Sequence, residues 1–178
     1  MRRMAILIAL VMLALLSLSA AADGAAILPQ IEFREKNFES GQMLPVYNGP
    51  GYEYERPTGW AKVSTDDTIL SAGNIGNWTF VMYQKSGGGF RAGWIDKSKL
   101  MYNLGGRSLT LAQVPGRMTQ SCVLTDDPKR TSYTVAELAA GTQVTVLAKY
   151  YDHIDWLYIE VWNGSPARGF VPAGYVSY

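Results

Sequence analysis

The chain has 178 residues, with 16 Lys and Arg against 15 Asp and Glu, one His and one Cys. Near-neutral charge excludes the basic stripe with which a nucleic-acid binder releases phosphate counterions, and it disfavours an anionic membrane surface. A single cysteine excludes an internal disulfide, so stability must come from burial, for which 5 Trp, 11 Tyr and 5 Phe supply the surface.

Residues 1–22 place Arg2 and Arg3 before an apolar run from Met4 to Leu18 and the small residues Ser19-Ala20-Ala21-Ala22. A basic start, a short apolar core and an A-x-A site predict a signal peptide cleaved after Ala22, because the run falls short of the roughly 20 residues that span a bilayer. Cleavage would remove two arginines and no acid, leaving 14 basic and 15 acidic residues. The mature chain is expected to leave the membrane and be secreted. Residues 23–40 then read as a lead-in segment without sustained period, expected to be disordered, with packing of Ile31, Phe33 and Phe38 on the first domain as the alternative.

Met43 to Tyr47 predicts a strand, and Asn48-Gly49-Pro50-Gly51 a turn opening a long ordered loop that carries Tyr52, Tyr54 and Trp60. A short strand is expected at Lys62 to Ser64 and a turn at Ser71 to Asn74. Trp78 to Tyr83 alternates, with bulk on both faces, and after the turn Gly87-Gly88-Gly89 the return strand Arg91 to Ile95 completes a hairpin. Asp96 is placed to cap a single helical turn over 96–100.

Past a connector with Gly105-Gly106, strands are predicted over Met118 to Val123, Gln143 to Ala148 and Trp156 to Trp162. Asn163-Gly164 makes a hairpin turn, Gly169 to Val171 the return strand, and Pro172 to Tyr175 a terminal turn. The second set repeats the first. Val46 to Val123 is 77 positions, Pro50 to Pro128 is 78, Trp78 to Trp156 is 78 and Gly93 to Gly169 is 76. That period predicts two duplicated domains, 41–102 and 103–178.

The landmarks that carry a resemblance are Val46-Tyr47-Asn48-Gly49-Pro50-Gly51, Trp78, Val81 and Gly93-Trp94-Ile95 in the first copy. In the second they are Leu124-Thr125-Asp126-Asp127-Pro128, Gly141-Thr142, Val144, Trp156, Ile159 and Arg168-Gly169-Phe170-Val171. They resemble the bacterial SH3-like (SH3b) family. The resemblance implies an all-β fold of two small SH3-like β-barrels in tandem, acting outside the cytoplasm as a module that holds proteins on peptidoglycan or other wall polymers. The first copy departs from the pattern at Thr58-Gly59-Trp60-Ala61-Lys62, where the usual Gly-Thr before a Val-rich strand is missing.

Cys122 and His153 are the residue types of a wall-peptide hydrolase. Cys122, however, lies inside a predicted strand, away from the helix N-terminus or base that would lower its pKa, and a non-enzymatic chain is expected. One His and one Cys cannot supply the usual four ligands of a zinc site, Asp126-Asp127 reads as a turn, and no metal or cofactor is expected. Arg91 and Arg168 can meet a peptide carboxylate or pack across a neighbouring strand. Trp78 and Trp156 are read as core. The candidate ligand-binding residues are the aromatics Tyr47, Tyr52, Tyr54, Trp60, Trp94, Tyr151, Tyr158 and Trp162, whose flat faces and polar edges suit sugars and extended peptides. The expected partner is a cell-wall polymer or peptide, and the alternative is a secreted protein bound in a structural or regulatory role.

Overall fold

A computed structural model describes residues 26–38, 41–101, 105–128, 133–162 and 164–178. The predicted signal peptide, the ends of the lead-in segment, the 102/103 boundary and Asn163 of the predicted hairpin turn lie outside these. The fold is all-β. Its strands are β1 (Arg34–Glu35), β2 (Met43–Pro45), β3 (Lys62–Ser64), β4 (Ile69–Ile75), β5 (Trp78–Gln84), β6 (Phe90–Asp96), β7 (Val114–Met118), β8 (Cys122–Thr125), β9 (Thr134–Leu138), β10 (Gln143–Asp152), β11 (Ile154–Trp162), β12 (Pro166–Pro172) and β13 (Val176–Ser177). Helical geometry among the described residues is confined to the 3-10 turns Pro57–Gly59, Lys97–Lys99 and Ala173–Tyr175.

One sheet runs β1-β4-β5-β6, and β2-β3 is joined to it where Tyr47 and Trp94 exchange backbone bonds of 2.9 and 2.8 Å. The other runs β13-β7-β10-β11-β12-β8-β9. Leaving out β13, the two halves have the same strand order. Among the described residues neither sheet closes into a barrel.

Close approach explains the two return-strand glycines. A Cβ on Gly93 would lie 2.4 Å from Val46 Cγ1 and 2.9 Å from the Tyr47 carbonyl oxygen. A Cβ on Gly169 would lie 2.5 Å from the Thr125 carbonyl oxygen and 2.8 Å from Leu124 Cγ. Both glycines let the chain at the end of β2 or β8 approach the return strand of its half, β6 or β12, at backbone contact. Gly93→Ala and Gly169→Ala are each expected to destabilise by about 1–3 kcal/mol through overpacking. Gly169→Ala should cost more, because its nearest obstacle is backbone; urea unfolding midpoints measure both.

The alternation in the central strands also has a structural cause. Val81 and Tyr83 of β5 enter a cluster with Leu44, Val46, Val63, Ile69 and Ile95, while Leu157, Ile159 and Val161 of β11 enter one with Leu124, Val144, Val146 and Val171. The opposite faces of the same strands meet each other. Phe80, Met82, Ala92 and Trp94 pack with Trp156, Tyr158 and Phe170 in a third cluster shared by both halves. Strands covered on both faces need apolar residues at successive positions.

Bulges feed this shared cluster. Register slips between Ser71 and Gly73 on β4, and between Val146 and Ala148 on β10. The extra residues, Ala72 and Leu147, are both buried in the shared cluster. Gly73 takes a φ of 137°, a conformation that requires glycine.

The segments before each half are exchanged. Ile31 N donates to the Lys149 carbonyl and Lys149 N to the Pro29 carbonyl, each at 2.8 Å. In mirror fashion Leu109 N donates to the Asn74 carbonyl at 2.8 Å and Asn74 N to the Arg107 carbonyl at 2.9 Å. Residues 26–38 are thus not a separate lead-in. Burial of Ile31 and the backbone bonds it makes hold this segment against the second half, while β1 pairs with β4 of the first.

Candidate binding surface

The eight candidate aromatics divide sharply in exposure. Trp94 and Tyr158 are 0 % and 1 % exposed and lie at the centre of the shared cluster. Phe80 stacks on Trp94 with ring centroids 4.8 Å apart and packs on Tyr158 at the same separation. Trp94 Nε1 donates to Tyr158 Oη at 2.8 Å, so the two polar heads satisfy each other inside an apolar region. Burial pushes the Tyr158 phenol up. Neither side chain is available to a ligand: the strand alternation that aims them away from their own cores aims them into the other half.

Tyr54 is also buried, and it ties the halves together. Its Oη donates to Glu160 Oε2 at 2.6 Å, and the same oxygen accepts from Arg168 Nε at 2.5 Å. Burial first, and the bond to Glu160 second, push the Tyr54 phenol up to about 12. The Arg168 guanidinium lies 5.3 Å from the Tyr54 ring centroid and 5.9 Å from that of Trp94, within reach of a cation–π attraction. Arg168 packs across β11, opposite its register partner Glu160.

Arg91 takes a different route. Its Nε donates to Asp126 Oδ2 at 2.6 Å, with the Asp126 side chain fully buried. Asp126 Oδ1 accepts from Tyr133 N at 3.0 Å, and its carbonyl accepts from Ala92 N at 2.8 Å. Both arginines therefore meet carboxylates of this chain, and the Asp126 turn is a clamp between halves.

Tyr47, Tyr52 and Trp78 form an edge-to-face triad with centroid separations of 5.0–5.5 Å. Tyr52 Oη donates to Asp96 Oδ2, which is the chief reason its phenol rises to about 12. Asp96 Oδ1 accepts from Ser98 N at 2.9 Å and caps the Lys97–Lys99 turn, as its position in the sequence predicts. Tyr47 and Trp78 are half-buried in this triad, and Trp156 is core.

Four candidates are exposed: Tyr52, Trp60, Tyr151 and Trp162, with Trp60 78 % and Trp162 74 % accessible. Trp162 has a groove beside it. The volume is about 420 Å³, lined by Gln113, Pro115, Gln143, Thr145, Glu160, Trp162 and Pro166 together with Val144 and Val161. Pairing explains why these residues meet. Thr145 faces Pro115 on one side and Glu160 on the other, Glu160 faces Arg168, and Trp162 faces Pro166. The floor is thus one face of β7, β10, β11 and β12. Its polar members are absent from a reading based on aromatics alone. Their signal was the two-residue spacing of Glu160 and Trp162, which puts both on one face of a strand.

Cys122 and His153 do not converge on this surface. Burial pushes the Cys122 thiol up, and His153, on the turn between β10 and β11, has Nδ1 2.7 Å from Asp152 Oδ1.

No protein-family model matches the chain, and no curated protein does. In structure it is similar to NlpC1 from Trichomonas vaginalis, with 15 % identity and a TM-score of 0.34, over 90 % of this chain and 50 % of that one. It is also similar to NlpC2 from Trichomonas vaginalis, with 14 % identity and a TM-score of 0.33, over 86 % and 49 % of the respective chains. The chain spans about half the length of both.

Proposed function

We propose that this is a secreted, non-enzymatic module that binds a cell-wall polymer of the peptidoglycan class. The observation that carries the reading is the exposure of Trp162 on a sheet face next to a groove that offers Gln113, Gln143, Thr145 and Glu160 among apolar residues. An exposed indole presents a flat apolar face with a polar edge, a shape that suits a sugar ring. Tyr52, Trp60 and Tyr151 add exposed rings elsewhere on the molecule. A raised Cys122 thiol, opposite to what a nucleophile needs, supports a binding role over hydrolysis.

Co-sedimentation with isolated cell walls, with and without teichoic polymers removed, tests the reading. The chain is expected in the pellet, and Trp162→Ala is expected to weaken binding about tenfold, equivalent to roughly 1.4 kcal/mol. Protein that stays in the supernatant under both conditions sinks the proposal. Stoichiometric recovery of one secreted protein in a pull-down, without sedimentation, would instead favour a protein-interaction role.

A further inference from the structure

We infer that the groove beside Trp162 is a single composite site for a short, uncharged glycan segment, built on the second half and positioned by Tyr54 of the first. The inference rests on the wall-polymer reading and adds the ligand class, the residues and a valency of one.

The shape comes from the end of the interface. Trp156, Tyr158, Glu160 and Trp162 alternate along one face of β11. The first two are roofed by the first half, Glu160 is partly covered, and at Trp162 the roof ends. What remains is a flat indole beside a groove within the usual volume range of small-ligand sites, about 300–1,000 Å³. A pyranose offers a face of C–H groups to such a ring and hydroxyls at its edge.

The lining chooses a neutral polyol. Gln113, Gln143 and Thr145 each carry both a donor and an acceptor. Glu160 is the charged lining residue, and its Oε2 already takes the bonds from Tyr54 and Arg168. Its charge is balanced within the protein, and Oε1 remains to accept from a hydroxyl. A charged ligand would find no uncompensated counter-ion among these lining groups. An extended peptide is also disfavoured, because β10 and β11 are paired on both sides and offer no free edge for an added strand.

Valency follows from comparing the halves. The positions of the first half that correspond to Glu160, Trp162 and Arg168 are Met82, Gln84 and Ala92. Met82 pairs with Ala92 as Glu160 pairs with Arg168. Met82 and Ala92 are buried in the shared cluster, and Gln84 supplies no aromatic ring. The groove is therefore not duplicated, although the fold is.

Isothermal titration of the intact chain with the β-1,4-linked tetramer of N-acetylglucosamine tests this. One tetramer per chain is expected, with affinity lowered at least tenfold by Trp162→Ala and several-fold by Gln143→Ala. Tyr54→Phe, which keeps the ring and removes the donor to Glu160, should weaken binding about threefold. Two tetramers per chain, no binding, or full affinity in Trp162→Ala would overturn the site. Full affinity in Tyr54→Phe would overturn the contribution of the first half. Wall sedimentation separates the two levels: a chain that binds tetramer but not walls defeats the wall reading alone. One that pellets with walls equally well as Trp162→Ala defeats the groove assignment alone.

Discussion

Phe80→Ala is expected to lower the unfolding free energy by about 3–5 kcal/mol, the range for removing a buried aromatic ring, and to do so in one transition that includes both halves. Phe80 is 1 % exposed and has rings of both halves around it: Trp94 and Tyr158 at 4.8 Å, Phe33 at 5.2 Å and Phe170 at 6.4 Å. Deleting it empties the middle of the shared cluster. Urea unfolding followed both by tryptophan fluorescence and by far-ultraviolet dichroism measures this. Coincident curves that shift together are expected for the variant. Two separate transitions, with only the one reporting the first half displaced, would show that the halves are stable independently and that the shared cluster contributes little. Val81→Ala provides the contrast, since Val81 faces the cluster belonging to the first half alone. It should cost less, because fewer buried atoms are removed.

Much of the secondary structure was legible in the residues. The strands at Trp78 and Trp156, the return strands that carry Gly93 and Gly169, and the Asp96 cap all follow from local rules: period-two alternation, turn chemistry and capping. What local rules do not carry is the destination of the second face of each strand. Phe80 and Tyr158 alternate correctly in the sequence, yet nothing local says that they meet each other instead of solvent. That is why Trp94 and Tyr158 looked like binding residues and are core. Exposure has the same origin. Trp162 and Trp156 lie on one face of one strand, and only the extent of the opposing half decides which is covered. The groove was legible only in part, because Gln113 comes from the connector and Gln143 from a neighbouring strand, brought beside Trp162 by register.

The comparison of Glu160 and Arg168 with Met82 and Ala92 leads to a second large effect. Arg168→Ala should destabilise the chain by about 2–4 kcal/mol. It leaves Glu160 and Tyr54 without their cation; the figure is below the usual 3–5 kcal/mol for breaking a buried pair because the Glu160 side chain is 30 % exposed and partly screened by water. Replacing both members, Glu160→Met with Arg168→Ala, copies the solution that the first half already uses at the same register. With Tyr54→Phe added to remove the stranded hydroxyl, stability is expected within about 1 kcal/mol of the parent, as for buried ion pairs exchanged for packed apolar groups. Thermal and urea unfolding of the single, double and triple variants measures the cycle. A triple variant as unstable as Arg168→Ala would mean that the charges themselves hold the interface. Recovery of stability would mean that they do not, and the same variant then separates folding from recognition. It would keep the exposed Trp162 and the fold but lose the carboxylate at the groove floor, so a stable chain with weakened tetramer binding is the expected result. In that case the two halves differ at this position because one of them carries a ligand there.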